Sequence, residues 1–292
     1  MHPARIFFTI LILTLIVLYM YVPGCFQNTN QTFRQMLPEK RNPGIGSDGG
    51  LLAWDVLEQQ KRFTSLAEAL KTPDEVFILD LSNQRLRRIP VEIQKFRRLQ
   101  VLELQDNQIQ ELPLEIGQLY HLQYLYLQKN QIRVIPNSIG NLQYLIHLDV
   151  RANQLRELPA DIGSLPRLQE LDLRFNELTS LHPSVGRALA LEVLRLGHNQ
   201  LVEIPEALTR LENLKLLDLS ENKSLDIRRT LSVVAQMPAL QTLELRRQNL
   251  RQIPKGLLEL ARLEDLDLSG NPLQEADKQE ARRMLPNTRI NF

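Results

Sequence analysis

Cysteine is nearly absent from this sequence, which has a single one, Cys25, among 292 residues. No disulfide can therefore form within the chain, so disulfides do not report the redox compartment. Aromatic residues make up only 5% of the chain, and its core must be aliphatic. The formal net charge is +1, which gives no general reason to expect binding to nucleic acid or another polyanion.

Motifs for catalysis and metal binding are also lacking. The sequence has no glycine-rich phosphate loop, no His-Glu-x-x-His motif and no pair of cysteines. Its five histidines are scattered, and Cys25 has no neighbouring base that would activate it as a nucleophile. We therefore expect a protein that is not an enzyme, with no catalytic residue, no metal and no cofactor.

The first 25 residues contain the longest apolar run. Ile6 to Val22 carries no charge and follows a short basic lead that includes Arg5. This length is close to the lower limit for a helix that crosses a membrane. We expect residues 1–25 to be a signal peptide or a membrane anchor. The few positive charges favour a cytoplasmic N-terminus, so the rest of the chain would lie on the non-cytoplasmic side, at the cell surface or in the periplasm.

The end of this run, Val22-Pro23-Gly24-Cys25, resembles the lipobox of bacterial lipoproteins. The resemblance implies that Cys25 is the site of lipid attachment and becomes the new N-terminus. Pro23 departs from the lipobox pattern, and the alternative is an uncleaved transmembrane helix. Residues 26–50 are rich in Asn, Gln, Gly and Pro and have no periodicity, which predicts a flexible linker.

Leucine recurs at a fixed interval in the remainder of the chain. Leu99, Leu122, Leu145, Leu168 and Leu191 are 23 residues apart, and each begins the pattern L-x-x-L-x-L-x-x-N-x-L. With less regular copies at both ends, the pattern gives nine copies over residues 76–271. A fixed period of this length is typical of a solenoid, in which no repeat can bury its own apolar face and stacked repeats share one core.

The pattern resembles the leucine-rich repeats of the 23-residue class, and the resemblance covers residues 76–271 of the 292. It implies an α/β solenoid, a leucine-rich-repeat horseshoe with a curved parallel β-sheet on the concave face and short helical or irregular segments on the convex face. The L-x-L step has the two-residue period of a strand. In the family, the asparagine bonds neighbouring backbone groups. Gln84 and Gln248 replace it in two copies, where the adjacent Asn83 and Asn249 are candidates to take its place.

Both ends of a solenoid need covers, because a bare end exposes leucines. Apolar spacing over residues 51–75 predicts a helical N-terminal cap, with Ser65 as the N-cap of its last helix. Residues 272–292 form the predicted C-terminal cap, a helix that Pro286 ends and a final strand. The seventh repeat lacks the usual proline and predicts a convex helix that buries Leu231 and Val234. Neither cap has stapling cysteines, which favours a bacterial source by the family resemblance.

The variable strand residues of such a fold point off the concave face, and the third to sixth repeats carry unusual ones there. Tyrosine and arginine are enriched in binding hot spots, so we expect a protein or peptide footprint on these repeats. The alternative interpretation is a solvated strand face with cross-strand charge pairs. The predicted contact residues are Tyr124, Tyr126, His147, Arg151, Glu170, Arg174, Phe175, Arg195 and His198.

The sequence therefore predicts a monomeric, non-catalytic protein-binding module that is displayed outside the cytoplasm on a membrane anchor and binds a protein or peptide partner, not nucleic acid. One alternative is a structural or envelope scaffold whose repeats only maintain spacing. Another is a cytosolic-type signalling regulator or adaptor, which applies if residues 1–25 are not a targeting segment.

Overall fold

A computed structural model describes residues 51–292 of the chain. The predicted signal peptide or anchor, the candidate lipid-attachment residue Cys25 and the predicted linker lie outside the described residues. Among residues 51–292, no helix is both long enough and apolar enough to cross a membrane.

Residues 51–292 form one sheet of eleven parallel strands, in which each strand pairs with the next one along the chain. The short strands β2 to β10 fall one in each of the nine predicted repeats, and β1 and β11 extend the sheet at its two ends. The predicted fold class, an α/β solenoid with a parallel sheet, is confirmed. The strands are β1 Arg62–Phe63, β2 Ile78–Asp80, β3 Val101–Glu103, β4 Tyr124–Tyr126, β5 His147–Asp149, β6 Glu170–Asp172, β7 Val193–Arg195, β8 Leu216–Asp218, β9 Thr242–Glu244, β10 Asp265–Asp267 and β11 Arg289–Asn291.

Apart from the first helix, which precedes strand β1, the short helices connect the strands on the convex side or follow the last repeat, and most of them are 3-10 helices. A proline in extended conformation precedes most of these helices, as Pro113 does, and its fixed φ directs the chain into the turn. The helices are α1 Trp54–Leu57, α2 Leu66–Ala69, η1 Pro73–Glu75, η2 Val91–Lys95, η3 Leu114–Gln118, η4 Asn137–Asn141, η5 Ala160–Ser164, η6 Pro183–Arg187, η7 Glu206–Arg210, α3 Ile227–Val234, η8 Lys255–Leu260 and α4 Glu275–Met284.

One continuous aliphatic core fills the space between the sheet and the convex helices. It runs from Phe63 in β1 to Leu285 after α4, and the central leucine of each repeat strand belongs to it. Neighbouring 3-10 helices pack closely. A Cβ placed on Gly163 would lie 2.0 Å from the carbonyl oxygen of Ser184 in the next repeat. Glycine at this position therefore allows the two helices to approach each other.

A ladder of buried asparagines joins the repeats at the ends of the strands. The side-chain amide of Asn153 donates to the carbonyl oxygens of Leu127 and Val150, and its Oδ1 accepts from the backbone N–H of Ile132. These bonds satisfy backbone groups where the chain turns away from the sheet. The same pattern recurs at Asn107, Asn130, Asn176, Asn199, Asn222 and Asn271.

The two glutamines that replace ladder asparagines behave differently from each other. Gln248 is buried, and its own side-chain amide donates to the carbonyl oxygen of Leu219 in the preceding repeat. The longer side chain thus makes one ladder bond itself, but its buried Oε1 has no hydrogen-bond partner, and Asn249 is exposed and does not take its place. Gln84 lies at the exposed end of the ladder, where its amide donates to the carbonyl oxygen of Thr64.

The seventh repeat and the C-terminal cap have the helices predicted from the sequence, whereas the N-terminal cap differs from its prediction. Helix α3 of the seventh repeat buries Leu231 and Val234, and α4 is followed by Pro286 and strand β11, as predicted. The predicted helical cap over residues 51–75 is helical only in part. Arg62 and Phe63 form strand β1 and pair with Ile78 and Leu79, which gives the first repeat strand a partner at an otherwise open edge.

Candidate functional site

The predicted contact residues lie on adjacent strands of the concave face. Each strand from β2 to β10 turns its central leucine into the core and its two outer side chains to the concave side. Along the sheet, Tyr124 pairs with His147 and His147 with Glu170, while Tyr126, Asp149, Asp172 and Arg195 form the next row. The turns that follow β5, β6 and β7 carry Arg151, Arg174, Phe175 and His198.

Glu170 is the centre of a three-residue charge cluster. Nδ1 of His147 lies 3.3 Å from Oε2 of Glu170, and the guanidinium of Arg195 donates to the other carboxylate oxygen. Burial by itself raises the pKa of Glu170, but the hydrogen bond and charge of His147, together with Arg195, hold this pKa below its ordinary value. The carboxylate is therefore ionised and fixed in place between its two partners.

Two buried aspartates lie side by side next to this cluster. Arg174 forms a two-pronged ion pair with Asp172, with contacts of 2.6 Å and 3.0 Å. Burial raises the pKa of Asp172, but Arg174 outweighs it and the pKa is lowered. Asp149 accepts from the backbone N–H of Arg151 at 3.1 Å, and its contact with the Arg151 guanidinium, at 3.3 Å, is longer than those between Asp172 and Arg174. Burial, followed by repulsion from Asp172, raises the pKa of Asp149 to about 6.

The sequence interpretation did not anticipate that acidic residues at the ends of several strands are buried. The alternative interpretation of this face was a solvated one with cross-strand pairs, yet Asp149, Asp172 and Asp218 are all buried. Several pairs also form within one segment, from a carboxylate to the arginine two residues later, as in Asp172 with Arg174 and Glu244 with Arg246. The recurring acid-x-Arg spacing was the signal in the sequence that could have indicated them.

The rim of the site carries an exposed aromatic stack. Phe175 is 37% exposed, and its ring lies parallel to that of His198, with centroids 4.0 Å apart. His198 also contacts Glu221 at 3.6 Å, but burial outweighs this charge and lowers the pKa of the imidazole. The backbone of Phe175 is left-handed, with φ 55°, a region unfavourable for a bulky side chain. The equivalent residues of other repeats, Lys129, Ala152, His198 and Glu221, are left-handed too.

The two tyrosines of β4 differ in accessibility. Tyr126 is partly buried beside His147, with ring centroids 5.0 Å apart, and burial raises the pKa of its hydroxyl. Tyr124 is only 7% exposed, because the ring of Trp54 lies across it at a centroid distance of 4.5 Å. Tyr124 is therefore not an open contact residue as predicted. The sequence pattern did not reveal that the N-terminal segment crosses the concave face at this strand.

The chemistry that this face offers is charge pairing, hydrogen bonding and aromatic stacking. Among residues 51–292, no group of three or more His, Cys, Asp and Glu side chains is placed to hold a metal ion. The charged side chains are held by one another and present a fixed pattern, which suits recognition of a complementary surface.

Comparison with known proteins gives relatives by sequence and by structure. Residues 114–226 match a family model described as a leucine-rich repeat region. No curated protein matches the sequence significantly. Among solved structures, an internalin from Listeria monocytogenes is 21% identical, with a TM-score of 0.60 over 75% of this chain and 61% of its own.

Two plant ectodomains are also similar in structure. The leucine-rich-repeat ectodomain of the Arabidopsis thaliana membrane receptor kinase GASSHO1/SCHENGEN3, solved in complex with CASPARIAN STRIP INTEGRITY FACTOR 2, is 25% identical, with a TM-score of 0.55 over 77% of this chain and 31% of its own. The ectodomain of the Arabidopsis receptor kinase HAESA, solved with an IDA peptide hormone ligand, is 26% identical, with a TM-score of 0.54 over 66% of this chain and 34% of its own. This chain thus spans less than two thirds of the internalin and of both ectodomains.

Proposed function

Since this chain is a leucine-rich-repeat protein, we propose that it is a non-catalytic binding module that holds a protein or peptide partner on the concave face of its third to sixth repeats. The fold typically serves protein binding. The two similar plant ectodomains were solved with a protein or peptide partner in place. Both facts support a macromolecular partner for this chain.

The observation that carries the proposal is the stack of Phe175 on His198. A left-handed residue stands at this turn position in the other repeats as well, including Ala152 and His198 on either side, so the backbone conformation belongs to the repeat. What distinguishes this repeat is the side chain, because the phenylalanine is 37% exposed and stacks on His198 instead of packing in the core. An aromatic side chain on a rigid support also has the properties of a binding hot spot.

The partner chemistry follows from the charges behind this stack. Asp172 and Glu170 each have a close cation, whereas buried Asp149 has its guanidinium partner, Arg151, at 3.3 Å and a backbone N–H donor at 3.1 Å. A positive group on the partner would compensate Asp149 and lower its raised pKa. We therefore expect the partner to place an apolar or aromatic side chain on Phe175 and a cationic group near Asp149. His147, a predicted contact residue, and Asp149 are each only 5% exposed, so they lie beneath the footprint and are not open contacts. The proposed footprint consists of Tyr126, Arg151, Glu170, Arg174, Phe175, Arg195 and His198.

The footprint is tested by replacing Phe175 with asparagine, which tolerates left-handed backbone. The matched control is Leu114→Asn, which removes a 70% exposed side chain from the convex helix η3. Both variants should unfold at the same temperature as the wild type or higher. Cross-linked capture from the native cell envelope should lose a specific partner with Phe175→Asn and keep it with Leu114→Asn. Identical capture by all three proteins would favour the scaffold alternative.

We also propose that the module is held on the outer side of a membrane by residues 1–25. The support is the uncharged run from Ile6 to Val22 and the lipobox-like residues that end at Cys25. The intact mass of the protein extracted from membranes tests this. Loss of residues 1–24 with added acyl mass supports a lipoprotein, and an intact N-terminus in the membrane fraction supports a retained helix. Recovery of an unprocessed chain in the soluble fraction would instead favour the cytosolic regulator.

A further inference from the structure

Residues 51–60, which we call the latch, cross the concave face at its N-terminal end. The latch contains helix α1 and lies over strands β2, β3 and β4. Leu57 is fully buried there against Ile78, Val101 and Tyr124. These three residues occupy equivalent positions on adjacent strands, so they form an apolar strip on the side of the sheet opposite the central leucines.

Two glutamines hold the backbone of the latch. The backbone N–H of Leu52 donates to Oε1 of Gln100 at 2.8 Å, and its carbonyl oxygen accepts from Nε2 of Gln123 at 3.1 Å. The two glutamine side chains also bond each other at 2.8 Å, and both are buried. In the next two repeats the equivalent residues are Ile146 and Gln169, which are not buried. This pair of side-chain amides is therefore specific to these two repeats, and it binds the N–H and the carbonyl oxygen of Leu52.

An aromatic contact also holds the latch against the sheet. Trp54 meets Tyr124 edge to face, with an interplanar angle of 62°. Trp54 and Leu57 are three residues apart, so one turn of helix places both on the same face. Asp55 and Glu58 are exposed. The latch is thus a short amphipathic segment that lies in a groove, a common mode of peptide recognition.

The contacts that hold the latch are separate from the main core. Its cluster of Leu57, Ile78, Val101 and Tyr124 is distinct from the main core, which lies on the other side of the sheet. Helix α1 has a single turn, and no side-chain hydrogen bond caps it at Ala53. Side-chain amides bind the latch, and strand pairing begins only with β1.

We propose that the apolar strip with Gln100 and Gln123 is a second peptide-binding site, one that recognises a one-turn amphipathic segment with Trp-x-x-Leu spacing and that the chain occupies with its own latch. A partner segment of the same chemistry competes with Trp54 and Leu57 for this strip. The site is separate from the footprint around Phe175, and its test does not depend on that proposal.

A peptide of residues 51–60, labelled with fluorescein, tests the site. The full chain with Trp54→Ala and Leu57→Ala, which weakens the latch, should bind the peptide saturably in fluorescence anisotropy. The wild-type chain should bind at least about tenfold more weakly, because its tethered latch competes at a high effective concentration. A control peptide with alanine at the two anchor positions should not bind. Adding Phe175→Asn to the double variant should leave the affinity unchanged, which separates this site from the footprint.

Two results would overturn the proposal. One is no peptide binding by a double variant that keeps its circular dichroism spectrum, and the other is equal binding by both chains. If the double variant does not fold, the same question can be tested with the unmodified chain, because Trp54 is its single tryptophan and its fluorescence reports on the latch alone. In a urea titration, Trp54 emission should shift to longer wavelength before the circular dichroism signal is lost. Coincident transitions would make the latch an integral part of the fold and exclude an exchangeable segment.

Discussion

Replacing Asp149 with asparagine should stabilise this protein at neutral pH. Asp149 lies on β5, is only 5% exposed and pairs across the sheet with Asp172. Its Oδ1 accepts from the backbone N–H of Arg151 at 3.1 Å, and Oδ2 lies 3.3 Å from the Arg151 guanidinium. Asparagine has the same shape and keeps an acceptor for the N–H, so the substitution mainly removes the charge.

The size of the effect follows from the pKa of this carboxyl. Burial, and then repulsion from Asp172, raises the pKa from 3.8 to about 6 despite the charge of Arg151. One pKa unit corresponds to about 1.4 kcal/mol, so the ionised group destabilises the fold by about 3 kcal/mol. Because the folded-state pKa is the higher one, this cost is absent below the unfolded value of 3.8, grows as the pH rises, and is complete above about 6.

Urea unfolding followed by circular dichroism at about pH 4 and pH 7.5 measures the effect. The free energy of unfolding of Asp149→Asn should exceed that of the wild type by up to about 3 kcal/mol at the higher pH and by little at the lower pH. Asp74→Asn, a change at an exposed carboxyl in η1, is the control. A variant that is less stable than the wild type at pH 7.5, or a difference that does not change with pH, would refute this account of the buried carboxylate.

Two further predictions concern the joints between repeats, and thermal and urea unfolding measure both. Asn153→Ala removes three ladder hydrogen bonds and should lower the free energy of unfolding by roughly 3 kcal/mol, at about 1 kcal/mol per bond. The control Asn141→Ala, at an exposed position, should lower it little. Equal losses for the two variants would contradict a stabilising role of the asparagine ladder. Gly163→Ala places a Cβ 2.0 Å from a backbone oxygen of the next repeat, whereas the nearest atom for Gly256→Ala is a side-chain carbon at 3.3 Å. Gly163→Ala should destabilise the protein by about 1–3 kcal/mol and Gly256→Ala by less. The reverse order would show that the close approach of neighbouring 3-10 helices does not determine which residues fit at these positions.

The repeat strands and convex segments were predictable because every repeat has to bury its apolar residues in the same shared core. Every copy must bury leucines at the same positions, so spacing alone placed strands β2 to β10 and the convex segments. Local signals also sufficed for the C-terminal side. Pro286 marked the end of the last helical segment, and the missing proline of the seventh repeat indicated helix α3, which buries Leu231 and Val234.

The features that sequence periodicity missed depend on contacts between distant parts of the chain. Trp54 covers Tyr124 from another segment, and no local pattern specifies where such a segment lies. The burial of Asp149 and Asp172 results from neighbouring repeats that crowd the concave face, so each residue viewed within its own repeat resembled a solvated one. Gln248 reaches its ladder carbonyl through an extra methylene, which depends on the actual distance between repeats.

The most direct test of partner binding on the concave face is site-specific photo-crosslinking in the native host. A benzophenone side chain replaces Phe175 in one version of the protein and Leu114, on the convex side, in the other. If the concave face holds the partner, position 175 should give a discrete cross-linked partner and position 114 none. The same partner from 114 with none from 175, or no adduct from either position, would contradict the claim that the concave face binds a protein or peptide.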